Sequence, residues 1–123
     1  MALTKSAETT LWSTTNLAVG TPQSTSAIQT YYGTTIVGNI TNGGTGPSLP
    51  AVIRFDFSND GSTNWRQGPT VVVGDTANSA VTYFTLSLGI GAGADYPYVR
   101  LTASGNTGQA VSLNAWAETT TAL

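Results

Sequence analysis

Residues 40–65 read ITNGGTGPSLPAVIRFDFSNDGSTNW, two clusters of turn-forming residues with one strand between them. In that strand Ile53, Phe55 and Phe57 alternate with Arg54, Asp56 and Ser58. A period of two sends the three large apolar side chains to one face and the polar ones to the other, as in a half-buried β-strand. The first turn cluster opens on Asn42 and Gly43; the second contains Asp60-Gly61, which supplies the positive φ that a tight connection needs. The next strand, starting near Trp65, is therefore the expected antiparallel neighbour, with Trp65 plugging the core beside it.

Strand signals continue on both sides of this hairpin. Residues 27–32 and 35–40 are rich in β-branched and aromatic side chains and read as two strands joined around Gly33. Thr70-Val71-Val72-Val73, bounded by Pro69 and Gly74, reads as a core strand. From Val81 to Leu88, Phe84, Leu86 and Leu88 share one face. Val99 and Leu101 in one strand, and Val111 and Leu113 in another, complete the expected core, and the turn formers at 104–108 suggest that these two strands form a second hairpin. Seven or eight short strands with turns between them and no amphipathic helix predict an all-β fold, an antiparallel β-sandwich of jelly-roll type.

Residues 1–24 carry few large apolar side chains and read as an N-terminal arm with a possible first strand, leaving 25–123 as the sandwich domain. Leu11 and Trp12 in that arm, with Tyr31 and Tyr32, are candidates for contact with other subunits, because a large aromatic in a polar segment needs a cover. On this reading residues 1–14 are dispensable for folding and needed for assembly.

Composition narrows the function. At 123 residues the chain is one domain, and only 8% of it is charged, so hydroxyl and amide groups supply most of its polarity. Lys5, Arg54, Arg66 and Arg100 are scattered through a chain of net charge −2, which offers no basic stripe to a nucleic acid. No apolar run is long enough for a membrane helix or a signal peptide, and the default expectation is synthesis and folding in a cytosol.

Candidate chemistry is sparse. With no histidine or cysteine, most nucleophilic triads are impossible, and the six acids are scattered; neither a catalytic site nor a cofactor is expected. Asp56-x-Ser58-x-Asp60-Gly61 resembles the start of a calcium loop, but Gln67 stands where the closing bidentate carboxylate belongs, so no metal is expected. Arg54 and Asp56 suit an ion pair with each other or with Arg66 or Arg100 across strands. The glycines at 89–93 are followed by Asp95 rather than by the lysine of a phosphate loop. Trp65, Trp116, Tyr31, Tyr32, Tyr83, Tyr96 and Tyr98 leave open an aromatic platform for glycan rings, with core or subunit contact as the simpler role.

The combination of ITNGGTGP, a strand, and then Ser58-x-Asp60-Gly61 leading to Asn64-Trp65 resembles a group of small tailed-bacteriophage virion proteins, as does the later run Gly105-Asn106-Thr107-Gly108-Gln109. The likeness spans about residues 25–116. It implies a non-enzymatic structural protein of the virion, made in the host cytoplasm: a capsid decoration or cement protein, or else a neck or tail component. Its implied partners are the major capsid protein or neck and tail proteins, and further copies of itself as a homo-oligomer. A carbohydrate- or receptor-binding sandwich is the alternative. Replacing Asp60 and Gly61 together by alanine is expected to lower the melting temperature, with positive-φ strain at residue 61 of about 1 to 2 kcal/mol, while abolishing no specific chemistry.

Overall fold

A computed structural model describes residues 4–30, 33–88 and 97–122. These described residues form ten strand segments: β1 Thr4–Lys5, β2 Thr9–Leu17, β3 Gln23–Ser24, β4 Ile28–Gln29, β5 Thr34–Asn42, β6 Val52–Ser58, β7 Arg66–Val73, β8 Val81–Leu88, β9 Tyr98–Ser104 and β10 Val111–Ala122. They form two antiparallel sheets. In the first, β1 and β2 lie end to end along β10, which pairs on its other side with β5, followed by β8. In the second, β3 and β4 lie end to end along β9, followed by β6 and β7.

Counting each interrupted edge as one, the ten segments fill eight strand positions, four per sheet, and the chain is a jelly roll. Every connection between successive positions crosses from one sheet to the other except β6–β7, the hairpin centred on Asp60-Gly61. The expected hairpin between 98–102 and 110–116 therefore does not exist. β9 pairs with β6 and β10 with β5, in opposite sheets. The strands on either side of Gly33 are likewise split, β4 bonding β9 while β5 bonds β10 and β8. A connection that crosses a sandwich uses the same turn formers as one within a sheet, so local sequence does not distinguish them.

The core lies between the sheets. Ile53, Val99, Leu101, Val111 and Leu113 are buried, as is Phe55, while Phe57, Phe84 and Leu86 are half-buried against them. On β8 alternate residues turn inward, ending at buried Leu88. Strand β7 is an edge rather than a core strand: only Val72 is buried, and Val73 is 59% exposed. Gly38 on the inner face of β5 lies beneath the Phe84 ring; a side chain there would run into that ring and into the Asn114 carbonyl. The glycine thus makes room for the aromatic on the neighbouring strand.

The N-terminal segment is part of the sandwich. β2 pairs with β10 from Val111↔Leu17 to Ala117↔Thr9, Leu17 is fully buried, and Trp12 is 3% exposed. Leu11 packs against the core from its margin. Trp12 is therefore covered by its own chain instead of being offered to a neighbour, because β10 needs a partner along its outer edge and β2 supplies it. Thr14 takes up a left-handed conformation (φ 46°) at a register shift between β2 and β10, and its N–H is held by Asn114 Oδ1 at 2.8 Å. Tyr31 and Tyr32, like residues 89–96, lie outside the described residues.

Removing residues 1–14 is expected to abolish cooperative thermal unfolding, measured by circular dichroism, since it strips β10 of one neighbour. Within the intact chain, Trp12→Ala should cost about 3 to 5 kcal/mol. Trp12→Phe should cost much less, because the buried indole N–H has no hydrogen-bond partner among the described residues and removing it leaves nothing unpaired.

Candidate functional site

The outer faces of the two sheets differ in chemistry. On the second sheet, the residues that alternate with the core side chains of β6 and β9 converge on Asp56. Its Oδ2 accepts from Thr102 Oγ1 at 2.7 Å and from Arg100 Nε at 3.2 Å, and its Oδ1 accepts from Arg54 Nε at 2.9 Å. Ser24 on β3 extends the cluster through a 2.8 Å contact with Thr102. Burial acts to raise the Asp56 pKa, but the hydrogen bonds from Thr102, Arg54 and Arg100 outweigh it and hold the carboxyl below its ordinary value. Both oxygens of the only acid in this cluster are occupied by donors, so the arrangement ties three strands together and has no base or nucleophile to spare.

Trp65 belongs to this outer face and not to the core. The β6–β7 register pairs Phe57 with Arg66, so one step further Trp65 falls on the side of Ser58 and Asp56. There the Arg100 guanidinium lies 4.3 Å from the Trp65 ring centroid, a cation–π contact that the polar strand neighbours make possible.

The turn at the end of β6 closes on itself. Asp60 Oδ1 accepts from the backbone N–H groups of Ser62 at 3.0 Å and Thr63 at 2.8 Å, and Oδ2 accepts from the Thr63 hydroxyl. The hydroxyl of Thr63, with these backbone donors, holds the Asp60 carboxyl well below the usual carboxylate range. Gly61 has φ 76°, and a side chain at that position would press on the Tyr98 ring. Of the oxygens that resembled calcium ligands, those of Ser58 and Asp60 are thus engaged within the turn and those of Asp56 in the outer-face cluster, and among the described residues no three metal-ligating side chains come together.

Asn42 and Gly43 act differently from a simple turn. Asn42 is the last residue of β5 and is buried; its Nδ2 donates to the carbonyls of Asp75 and Ala77, both at 2.8 Å. Gly43 accepts from Ser79 N–H at 2.8 Å. Asn106 uses the same device, its buried Nδ2 donating to Leu17 and Gln109 carbonyls at 3.1 and 2.9 Å. Asparagine in a loop usually signals only a turn, and the sign that Asn106 staples β2 to the 105–110 loop is absent from the local sequence.

The outer face of the first sheet is where unpartnered side chains gather. Its rows run across β10, β5 and β8: Glu118, Thr35 and Ser87; Trp116, Val37 and Thr85; Asn114, Asn39 and Tyr83; Ser112, Thr41 and Val81. Tyr83 is 78% exposed, and Val37 and Val81 are exposed beside it. Asn114 Nδ2 donates to Asn39 Oδ1 at 3.1 Å, so the middle row is partly self-bonded. A groove of about 480 Å³ opens next to Trp116 and Val37 and is bordered by Lys5, Glu8 and Glu118. Of the seven aromatics considered at the sequence level for a platform, this face brings together Trp116 and Tyr83; Trp65 and Tyr98 belong to the other sheet, and Tyr31, Tyr32 and Tyr96 lie outside the described residues.

Neither a family profile nor a curated protein sequence matches the chain. Among solved structures it is similar to a Family 16 Carbohydrate Binding Module-2, with a TM-score of 0.47 and 12% identity over 81% of this chain and 70% of that one. It is also similar to the cleaved adhesin domain of Lys-gingipain from Porphyromonas gingivalis, with a TM-score of 0.41 and 15% identity over 80% of this chain and 62% of that one. At these identities the likeness assigns no ligand or partner to this chain.

Asp56→Asn is expected to destabilise the fold by about 2 to 3 kcal/mol at neutral pH, since it leaves two guanidinium groups facing a neutral amide. The pH dependence has a definite sign. A carboxyl depressed in the folded state contributes fully above its unfolded value, ordinarily 3.8, and the contribution is lost as pH falls through the folded value. Wild-type stability should therefore fall below about pH 4, and denaturant titrations of Asp56→Asn should show a shallower fall over the same range, the remainder coming from Asp60.

Proposed function

We propose that this chain is a non-enzymatic structural protein of a tailed-bacteriophage particle, a capsid decoration protein that stabilises the shell through subunit contacts. The observation that carries the reading is the outer face of the first sheet, where Val37, Val81, Tyr83 and Trp116 stand among hydroxyl and amide groups, with charge confined to the end marked by Lys5, Glu8 and Glu118. A face with aromatic anchors at its centre and charge only at one end suits a large permanent contact, whose centre is depleted of charge. The sequence pattern across residues 40–65 supports the same reading, and the Asp56 cluster, with its acceptors filled, gives no reason to look for catalysis. A neck or tail position uses the same kind of contact and differs in copy number.

One observation favours a second reading. Trp116 and Tyr83 flank the Asn39 and Asn114 amides on one open face, a combination of ring surfaces and hydrogen-bonding groups that also suits a glycan.

Co-sedimentation of the purified protein with empty capsids tests the proposal. Binding is expected, and Val37→Asp should weaken it while leaving the melting temperature within a few degrees of wild type. Failure to bind any shell, neck or tail particle, together with tight glycan-array binding lost in Trp116→Ala, would transfer the assignment to a carbohydrate-binding module. A virion copy number in the hundreds places the protein on the shell, and one near a dozen places it at the neck.

A further inference from the structure

The sandwich presents two long, uninterrupted-length edges, β7 and β8, and they are built differently. β7 begins with Arg66, carries Gly68-Pro69 in its middle, and has two register shifts against β6. Charge, proline and irregular register are the means by which an edge strand is kept from pairing with other chains. β8 reads VTYFTLSL, eight residues with no charge, no proline and no register shift against β5. Among the described residues β5 is its only strand partner.

The backbone geometry of this edge is determined. Asn42 N–H donates to the Ala80 carbonyl at 2.9 Å. In an unshifted antiparallel ladder the bonded pairs recur every second residue, so Thr82, Phe84, Leu86 and Leu88 exchange hydrogen bonds with β5. The N–H and C=O groups of Val81, Tyr83, Thr85 and Ser87 consequently point away from the sheet, and the side chains of these same residues are exposed on its outer face.

We infer that β8 is a site for self-association: two copies of the chain pair β8 to β8, antiparallel about a two-fold axis at Phe84, and fuse their first sheets into one. The register follows from the free groups. Val81 opposite Ser87 of the second copy, and Tyr83 opposite Thr85, is the alignment that engages all four outward-pointing residues. It gives about eight backbone hydrogen bonds, within the range of an ordinary protein interface. A second copy is the occupant that fits, because the two-fold axis makes the outward-pointing groups of the strand self-complementary and brings the residues beside Phe84 close to their own images. A charge near the axis would be repelled by its counterpart, and β8 has none. The side-chain pairs are favourable too: Tyr83 faces β-branched Thr85 on the outer side, and Phe84 meets its image on the inner side. The inference does not rest on the virion reading, since the edge has this form on any particle or none.

The test is the oligomeric state of the whole chain by sedimentation equilibrium, combined with amide hydrogen exchange. Wild type is expected to form a concentration-dependent dimer in which the amides of Val81, Tyr83, Thr85 and Ser87 exchange more slowly than in the dilute monomer. Thr85→Lys, which sets two cations near the axis, should raise the dissociation constant at least roughly tenfold with little change in melting temperature. Gln67→Lys on β7 should leave the dimer intact. If Thr85→Lys does not fold, Tyr83→Lys, which like Thr85 lies one residue from the axis, makes the same measurement. A chain that stays monomeric to its solubility limit overturns the inference, as does a dimer that survives these lysines with unprotected β8 amides, or one dissolved by Gln67→Lys alone.

Discussion

The first sheet depends on the backbone ladder of β10. This strand takes β1 and β2 on one side and β5 on the other, so the latest strand of the jelly roll holds together its earliest strands and its middle. Unpaired strand amides inside a sandwich are costly, and β10 can satisfy both of its sides only if the N-terminal residues lie along it. That requirement turns a polar, arm-like segment into structure, with Trp12 and Leu17 closing the end of the core. The contacts that stabilise this sheet are between residues far apart in sequence, which places the fold among those that form slowly.

A chain with so few charges meets its buried polar needs with neutral groups. Asn42 and Asn106 each cap two carbonyls, Thr25 Oγ1 accepts the Leu101 N–H where the edge strand is interrupted between β3 and β4, and Thr34 and Thr119 bond each other across β5 and β10. The ionised exception is Asp56, whose two arginines and threonine occupy its oxygens on the outer face of the second sheet. One sheet thus spends its outward side chains on internal bonding, while the other leaves Tyr83, Val37 and Trp116 facing outward. That asymmetry, more than any single residue, distinguishes the face that can meet a partner.

The parts of the fold legible in the sequence are those governed by neighbours one or two residues away. Alternation placed Ile53 and Phe55 inward and Arg54 and Asp56 outward, and Asp60-Gly61 marked the one connection that stays within a sheet. What was not legible is which strands pair when the chain crosses between sheets: the turn formers at 104–108 look the same whether β9 turns back on itself or passes over to the other layer. Trp65 was misplaced for a related reason, since its face depends on the β6–β7 register and on the position of Arg100, 35 residues further along, rather than on hydrophobicity. On the outer face of the first sheet, alternation gives the outward residues of β8 and β10 one strand at a time, Tyr83 and Trp116 among them, but the rows they form are set by the register of β10, β5 and β8.

Asn42 followed by Gly43 is the dipeptide in which the glycine backbone nitrogen most readily attacks the preceding side-chain carbonyl carbon, expelling ammonia to form a succinimide that water opens to aspartate and isoaspartate. Here that amide is buried and bonded to two loop carbonyls, while the Asn42 backbone N–H is bonded to Ala80. The side chain must release both carbonyls before it can turn toward the glycine, so chemical ageing at this position is tied to local opening of the 75–77 loop. The capping bonds that secure the loop therefore also shield Asn42 from this reaction.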